Sequence, residues 1–273
     1  MSDPVLLTAG IELSHSLRSD SDTSWDYLDL LGRAVCNYLY LGSNIDESKY
    51  PVRDELYNQR GWQLPKAMRP HTGLRLAQLA NLHNLARQLI EHRIPGDFLE
   101  AGVWQGGVII FLAGLLRVYR VEGVRLWALD TFSGIPRDPH PSAIDDPVDE
   151  WTDRWAVPLD EVQNNIRRYG LLDERIRFVC GPFRDSIPGA DIKQLALLRI
   201  DADAYASTMD ALELLYPRVS AGGHIIIDDW HLDGCRRAVL DYRAACGIST
   251  PIKGVYGTCD GEDDGPYEVF WTV

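Results

Sequence analysis

Leu198-Arg199-Ile200-Asp201-Ala202-Asp203 and Ile225-Ile226-Ile227-Asp228-Asp229 are two apolar runs that each end in carboxylates. Runs of this kind read as strands buried on both faces of a parallel sheet, and ligands bind beyond the carboxyl ends of such strands. If the two strands are neighbours, Asp201, Asp203, Asp228 and Asp229 share a small space. Carboxylates gathered this way repel one another unless protons or a cation relieve them. An all-oxygen donor set suits a hard divalent ion such as Mg2+. The two runs therefore predict an α/β fold with a metal site at the functional edge of its sheet.

The chain around them alternates. Residues 97–103, 124–130, 176–180, 195–201 and 224–229 are predicted strands, and residues 107–119, 159–169, 208–216 and 235–245 are predicted helices. Strand–helix alternation implies right-handed βαβ units and a parallel sheet. Residues 252–256 and 267–272 read as a closing hairpin around an acidic, Gly-rich connection. Upstream the alternation is missing. Residues 25–41 and 74–92 carry apolar positions at helical spacing, and Pro95-Gly96 punctuates the second. This predicts an N-terminal helical extension and lid over 1–93 and a catalytic domain over 94–273. Residues 134–158 are rich in Pro and Asp and read as a long loop, a type that is usually a functional lid or a disordered segment.

Bulk properties narrow the class. The 273 residues carry a net charge of −13 and 45% hydrophobic side chains. Nucleic acid as a partner is not expected, because phosphate binding needs Lys/Arg stripes. The five cysteines are odd in number and lack CxxC spacing, which fits reduced thiols in a cytoplasmic protein. No apolar run reaches the ~18 residues of a membrane span, and the N-terminus lacks the basic region of a signal peptide.

Glu100-Ala101-Gly102-Val103-Trp104-Gln105-Gly106-Gly107 follows the first strand and opens a helix. Its glycines allow a tight turn and close approach of a ligand to the backbone. The second strand ends in Asp130-Thr131-Phe132-Ser133-Gly134. A carboxylate at that point is where α/β nucleotide-type sites accept from ribose hydroxyls. A plain Asx-turn is the other reading of Asp130, and a generic βα turn is the other reading of the glycines.

Several strings together resemble the macrocin O-methyltransferase family, the metal-dependent sugar O-methyltransferases of antibiotic biosynthesis. They are residues 96–107, Asp130-Thr131-Phe132-Ser133-Gly134-Ile135-Pro136, Tyr169-Gly170-Leu171-Leu172-Asp173, and residues 198–208. Leu215-Tyr216-Pro217, residues 222–229, Cys235-Arg236-Arg237-Ala238-Val239 and Asp241-Tyr242-Arg243 complete the set. The resemblance runs from about residue 60 to the C-terminus. It implies a class I methyltransferase: a Rossmann-like, mostly parallel sheet with helices on both faces and a C-terminal antiparallel hairpin. It implies metal ligands at Asp201, Asp228 and Asp229 and a base at Asp203. It implies S-adenosyl-L-methionine contacts at Glu100, Ala101, Gly102, Val103, Trp104, Asp130, Thr131, Phe132, Ser133, Gly134, Pro182 and Phe183. It adds contacts from Thr72, Gly73 and Asn165 or its neighbour. Gln105, Pro182, and Trp230-His231 depart from the residues common in the family.

Methyl transfer to an alcohol needs a positioned hydroxyl and a group to take its proton. A sugar hydroxyl is a weak acid, so an aspartate aided by a bound cation is a better answer than an aspartate alone. If the chain stays extended, Asp203 points the same way as Asp201, two residues earlier. A cap or turn role before the next helix is the other reading of Asp203. His231 is a second candidate acid or base, His71 could line the cofactor entrance, and His224 reads as structural. Trp151 and Trp155 could stack on an acceptor or simply pack the loop. The expected activity is O-methylation of a small-molecule glycoside, with Mg2+, in a chain for which a homo-oligomer is compatible. A catechol-type or other diol O-methyltransferase is the alternative. A metal-dependent hydrolase would leave the glycine turn and Asp130 without a role, and a non-catalytic binding module would not explain the Asp cluster.

Overall fold

The computed structural model describes residues 23–37, 39, 69–136, 155–256 and 266–273. Trp151, residues 137–154 of the predicted long loop, and the 257–265 connection lie outside the described residues, as do most of residues 1–60.

The sheet forms from β1 (Asp97–Ala101), β2 (Leu126–Asp130), β3 (Ile176–Cys180), β4 (Leu195–Ile200), β5 (Val219–Ile227), β6 (Lys253–Val255) and β7 (Glu268–Thr272). Their order is β3-β2-β1-β4-β5-β7-β6. The first five are parallel, and β7 lies antiparallel between β5 and β6. The order reverses between β1 and β4, so a crevice opens where the two chains leave in opposite directions.

Period-two alternation assigns each strand residue to one of two cores. Phe98, Leu126, Ala128, Leu197 and Ile226 face one side. There they meet α1 (Thr23–Val35), α2 (Leu76–Glu91), α3 (Gly107–Val118) and α4 (Leu159–Arg168). Leu99, Trp127, Leu129, Leu198, Ile225 and Ile227 face the other. The short α5 (Phe183–Ser186), α6 (Tyr205–Leu215) and α7 (Asp233–Ala245) lie after β3, β4 and β5. Ten consecutive residues of α3, from Gly107 to Leu116, are buried, because α1 covers the face that the sheet leaves open. A Cβ on Gly114 would collide with Leu31 of α1.

Two expectations need correction. The first predicted helix ends at Val35, not at residue 41: Asn37 takes a left-handed φ of 56° and turns the chain, a conformation that Asn tolerates at helix ends. The fifth strand begins at Val219, five residues early, because the Gly-rich start is held by pairing. Gly222 N–H donates to Val273 O and Val273 N–H to Gly223 O.

Candidate active site

The carboxyl ends of β1, β2, β4 and β5 share one edge, and every predicted strand-end carboxylate sits there. The backbone ladder continues past the strands to fix them: Gly102 N–H donates to Leu129 O, Asp201 N–H to Ala101 O, and Asp228 N–H to Ile200 O. Gly102 has φ 94°, and a Cβ there would overlap the Asp201 carbonyl oxygen. The turn after β1 and the first aspartate after β4 can be this close only because residue 102 is glycine.

Asp130 organises the glycine turn. Its Oδ2 accepts from Val103 N–H at 2.7 Å and Trp104 N–H at 3.2 Å, and its Oδ1 accepts from Phe132 N–H at 2.8 Å. The last bond is an Asx-turn, so the bland reading of Asp130 is part of the truth. Oδ2 already accepts twice, and Oδ1 keeps a further lone pair for a ligand hydroxyl. Thr131 Oγ1 donates to Gly134 O at 2.5 Å and closes the 131–134 loop. Gly181 N–H donates to Asp130 O, which brings Pro182 and Phe183 beside it; Pro182 is exposed and Phe183 is half-buried. Thr72 is buried with its hydroxyl accepting from Leu74 N–H, and Gly73 is exposed next to it. A Cβ on Gly107 would run into the His71 carbonyl and Thr72, so the 71–73 segment lies against the start of α3. Asn165 is buried and donates to Gln105 O at 3.1 Å. Its amide nitrogen thus supports the turn from behind.

Three non-glycine residues in successive turns along this edge have left-handed backbones: Trp104 (φ 46°), Phe132 (φ 56°) and Asp203 (φ 57°). Non-glycine residues adopt this backbone at only a few per cent of positions, mostly at helix ends and in turns such as these. For Asp203 this corrects the expectation of an extended chain. β4 ends at Ile200, and the turn, not strand alternation, brings Asp203 back. Its N–H donates to Asp229 Oδ2 at 2.9 Å, and Ala204, not Asp203, occupies the cap position of α6.

The outcome is a tight group. One carboxylate oxygen from each of Asp201, Asp203 and Asp229 lies within 4.8 Å of the others, a spacing that one hard cation can bridge. Asp228 stands to one side. Its Oδ1 accepts from Gln78 Nε2 at 3.0 Å and lies 2.6 Å from Arg199 Nη2, an ion pair without hydrogen-bond alignment. Burial and crowding raise the proton affinity of Asp203 and Asp229. Burial, then the charges of Asp201, Asp228 and Asp130, push the Asp203 carboxyl up to about 8. Burial and the charges of Asp203, Asp201 and Asp228 raise Asp229 well above the usual carboxylate range.

Four residues without a role in the sequence reading complete the floor. Arg199 is fully buried, and its Nη1 donates to Glu100 Oε1 at 2.8 Å and Asp201 Oδ2 at 2.9 Å. Glu100, 2% exposed, therefore meets Arg199 and not the open crevice. Gln78 and Asn81, one turn apart on α2, donate to Asp228 and to buried Glu268. A lone charged residue inside the apolar run Leu195–Ile200 was the available signal for Arg199; nothing local marked the others. At the rim, the Trp155 ring lies edge-on to Trp104 at 5.5 Å, and His231 is exposed with its ring 5.0 Å from Tyr267. His71 bonds the Tyr169 hydroxyl at 2.8 Å, and buried His224 pairs with Thr272.

Comparison with known proteins gives the family. The macrocin O-methyltransferase family pattern matches residues 42–260. The chain belongs to that family. Members similar to it include the 8-demethyl-8-(2,3-dimethoxy-α-L-rhamnosyl)-tetracenomycin-C 4'-O-methyltransferase of Streptomyces olivaceus, 41% identical over 238 residues, covering 85% of this chain and 90% of that one. The mycinamicin III 3''-O-methyltransferase of Micromonospora griseorubida is 39% identical over 245 residues, covering 84% and 94%. The solved O-methyltransferase NovP superposes with a TM-score of 0.79 at 35% identity, covering 91% of this chain and 98% of NovP. As a macrocin-type enzyme the chain is an S-adenosylmethionine-dependent O-methyltransferase. Among the described residues, no helix is long and apolar enough to cross a membrane.

Proposed function

We propose that the enzyme methylates a hydroxyl on a sugar of a glycosylated natural product, with Mg2+ held by the strand-end aspartates. The observation that carries this reading is the Asp201, Asp203 and Asp229 group beside the turn that Asp130 organises. Two relatives whose names specify sugar-position methylation of tetracenomycin and mycinamicin glycosides support the acceptor class. The donor set fits the ion: it is all oxygen, half-buried to buried, and mutually repulsive. Asp201 and Asp229 would hold it, with Asp228 or Asp203 as the further ligand.

Bound Mg2+ supplies Lewis-acid polarisation of an alcohol oxygen and orients it. The chain's residues do the rest. Asp130 and the 102–104 turn would hold the ribose end of the cofactor, which would supply the methyl group. Asp203, held by its backbone bond to Asp229, takes the acceptor proton. Trp104 and Trp155 keep water from one side of the turn.

Turnover of rhamnosylated acceptors, measured with and without chelator, tests the reading. Loss of methylation in chelator and its recovery with Mg2+ is the expected result. Full turnover in excess chelator would remove the ion from the mechanism, and preference for a catechol over every glycoside would replace the acceptor class.

A further inference from the structure

Arg199 is the only charged side chain in β4, and none of it reaches solvent. A guanidinium is buried only where carboxylates compensate it. Glu100, level with Arg199 on the adjacent strand, pairs with that charge. The guanidinium nevertheless reaches on to two more carboxylates at the sheet edge. Nη1 also meets Asp201, and Nη2 meets Asp228. Those two aspartates leave different strands, β4 and β5, and the planar fork spans both. Each gives Arg199 one oxygen and keeps its other oxygen.

We infer that Arg199 is a positioning residue for the cation: it fixes the Asp201 and Asp228 carboxylates across two strand ends before the ion arrives. The inference rests on the reading that the strand-end aspartates serve Mg2+. Glu100 holds the guanidinium from β1, and Gln78 holds Asp228 from α2. The device needs the fork as well as the charge. A lysine ammonium is a point donor and cannot face both strand ends in one plane.

Mn2+ binding by electron paramagnetic resonance, without acceptor, is the measurement, with S-adenosylmethionine affinity read in parallel. Arg199→Lys keeps the charge without the fork. Arg199→Met with Glu100→Gln removes both members of the buried pair, so no uncompensated charge is left between them. Both variants should bind Mn2+ roughly 10–100-fold more weakly, the usual loss when a group that orients a ligand is removed. Arg199→Lys should keep S-adenosylmethionine affinity within about threefold, because the Asp130 turn is untouched. Wild-type Mn2+ affinity in both variants would overturn the inference. So would parallel loss of both affinities in Arg199→Lys, or failure of both variants to fold, since Arg199 would then be a core residue first. Absence of Mn2+ binding by the unaltered enzyme would instead overturn the metal reading beneath it.

Discussion

Gly102 approaches Asp201 so closely that a Cβ on the glycine would overlap the aspartate's carbonyl oxygen. The turn after β1, proposed to receive the cofactor, and the strand end that carries the first acidic residue are thus in direct backbone contact. A change at residue 102 must disturb both halves of the site.

Gly102→Ala should therefore weaken S-adenosylmethionine and Mn2+ binding together, each by tenfold or more in calorimetry. It also places a side chain at φ 94°, a strain of about 1–3 kcal/mol. Gly170→Ala is the control: its φ is 68°, with nothing within 4 Å of the added Cβ. It should lower the melting temperature slightly and leave both affinities alone. Wild-type affinities in Gly102→Ala would show that the two half-sites are independent.

Much of this arrangement was legible in the sequence because it follows from short-range rules. Apolar runs ending in Asp gave β4 and β5, and the Gly-rich turn and Asp130 gave the opposite side of the crevice. Other parts depended on long-range geometry. Asp203 joins Asp201 and Asp229 through a left-handed turn that strand alternation does not foresee. Asp228 meets Gln78 because α2 crosses this edge, and residues 150 apart cannot be matched by pattern. The helix end at Val35 was missed because apolar residues continue past it to Leu41, while Asn37 turns the backbone.

Asp130→Ala should weaken S-adenosylmethionine binding by about 1.5–3 kcal/mol, the loss expected when a charged acceptor is removed from hydrogen-bonded partners. It deprives Val103, Trp104 and Phe132 N–H groups of their acceptor, so Asp130→Asn should be milder. Calorimetric titration of the folded variants decides. Equal affinity for the cofactor in Asp130→Ala would cancel the ribose assignment.

His83 gives a pH dependence unconnected with the crevice. It is 3% exposed and shares a hydrogen bond of 2.9 Å with the Tyr119 hydroxyl. Burial, then the charge of Arg87, lowers its pKa from 6.5 to about 4. Between those values the unfolded chain binds the proton more readily. The neutral ring's contribution is therefore complete above pH 6.5 and is lost as pH falls toward 4. The loss is on the order of 3 kcal/mol. Chemical denaturation from pH 7 to 4 should show this slope, and His83→Gln should flatten it. An unchanged slope in His83→Gln would place the acid sensitivity elsewhere.

Asp203 separates a base from a ligand. Its carboxylate lies in the oxygen group with Asp201 and Asp229, whereas Asp228 is tied to Arg199 and Gln78. If Asp203 is the base, Asp203→Asn should bind Mn2+ and S-adenosylmethionine normally and turn over about 10²–10⁴-fold more slowly. The defect should shrink as pH rises, because solvent hydroxide can then take the acceptor proton. The backbone N–H of residue 203 still donates to Asp229 in this variant, so the turn itself is preserved. Loss of Mn2+ affinity would make Asp203 a ligand in place of Asp228, and Asp228→Asn should then bind the ion well. A near-normal rate at neutral pH would remove Asp203 from proton transfer and direct attention to His231, which stands at the same rim against Tyr267.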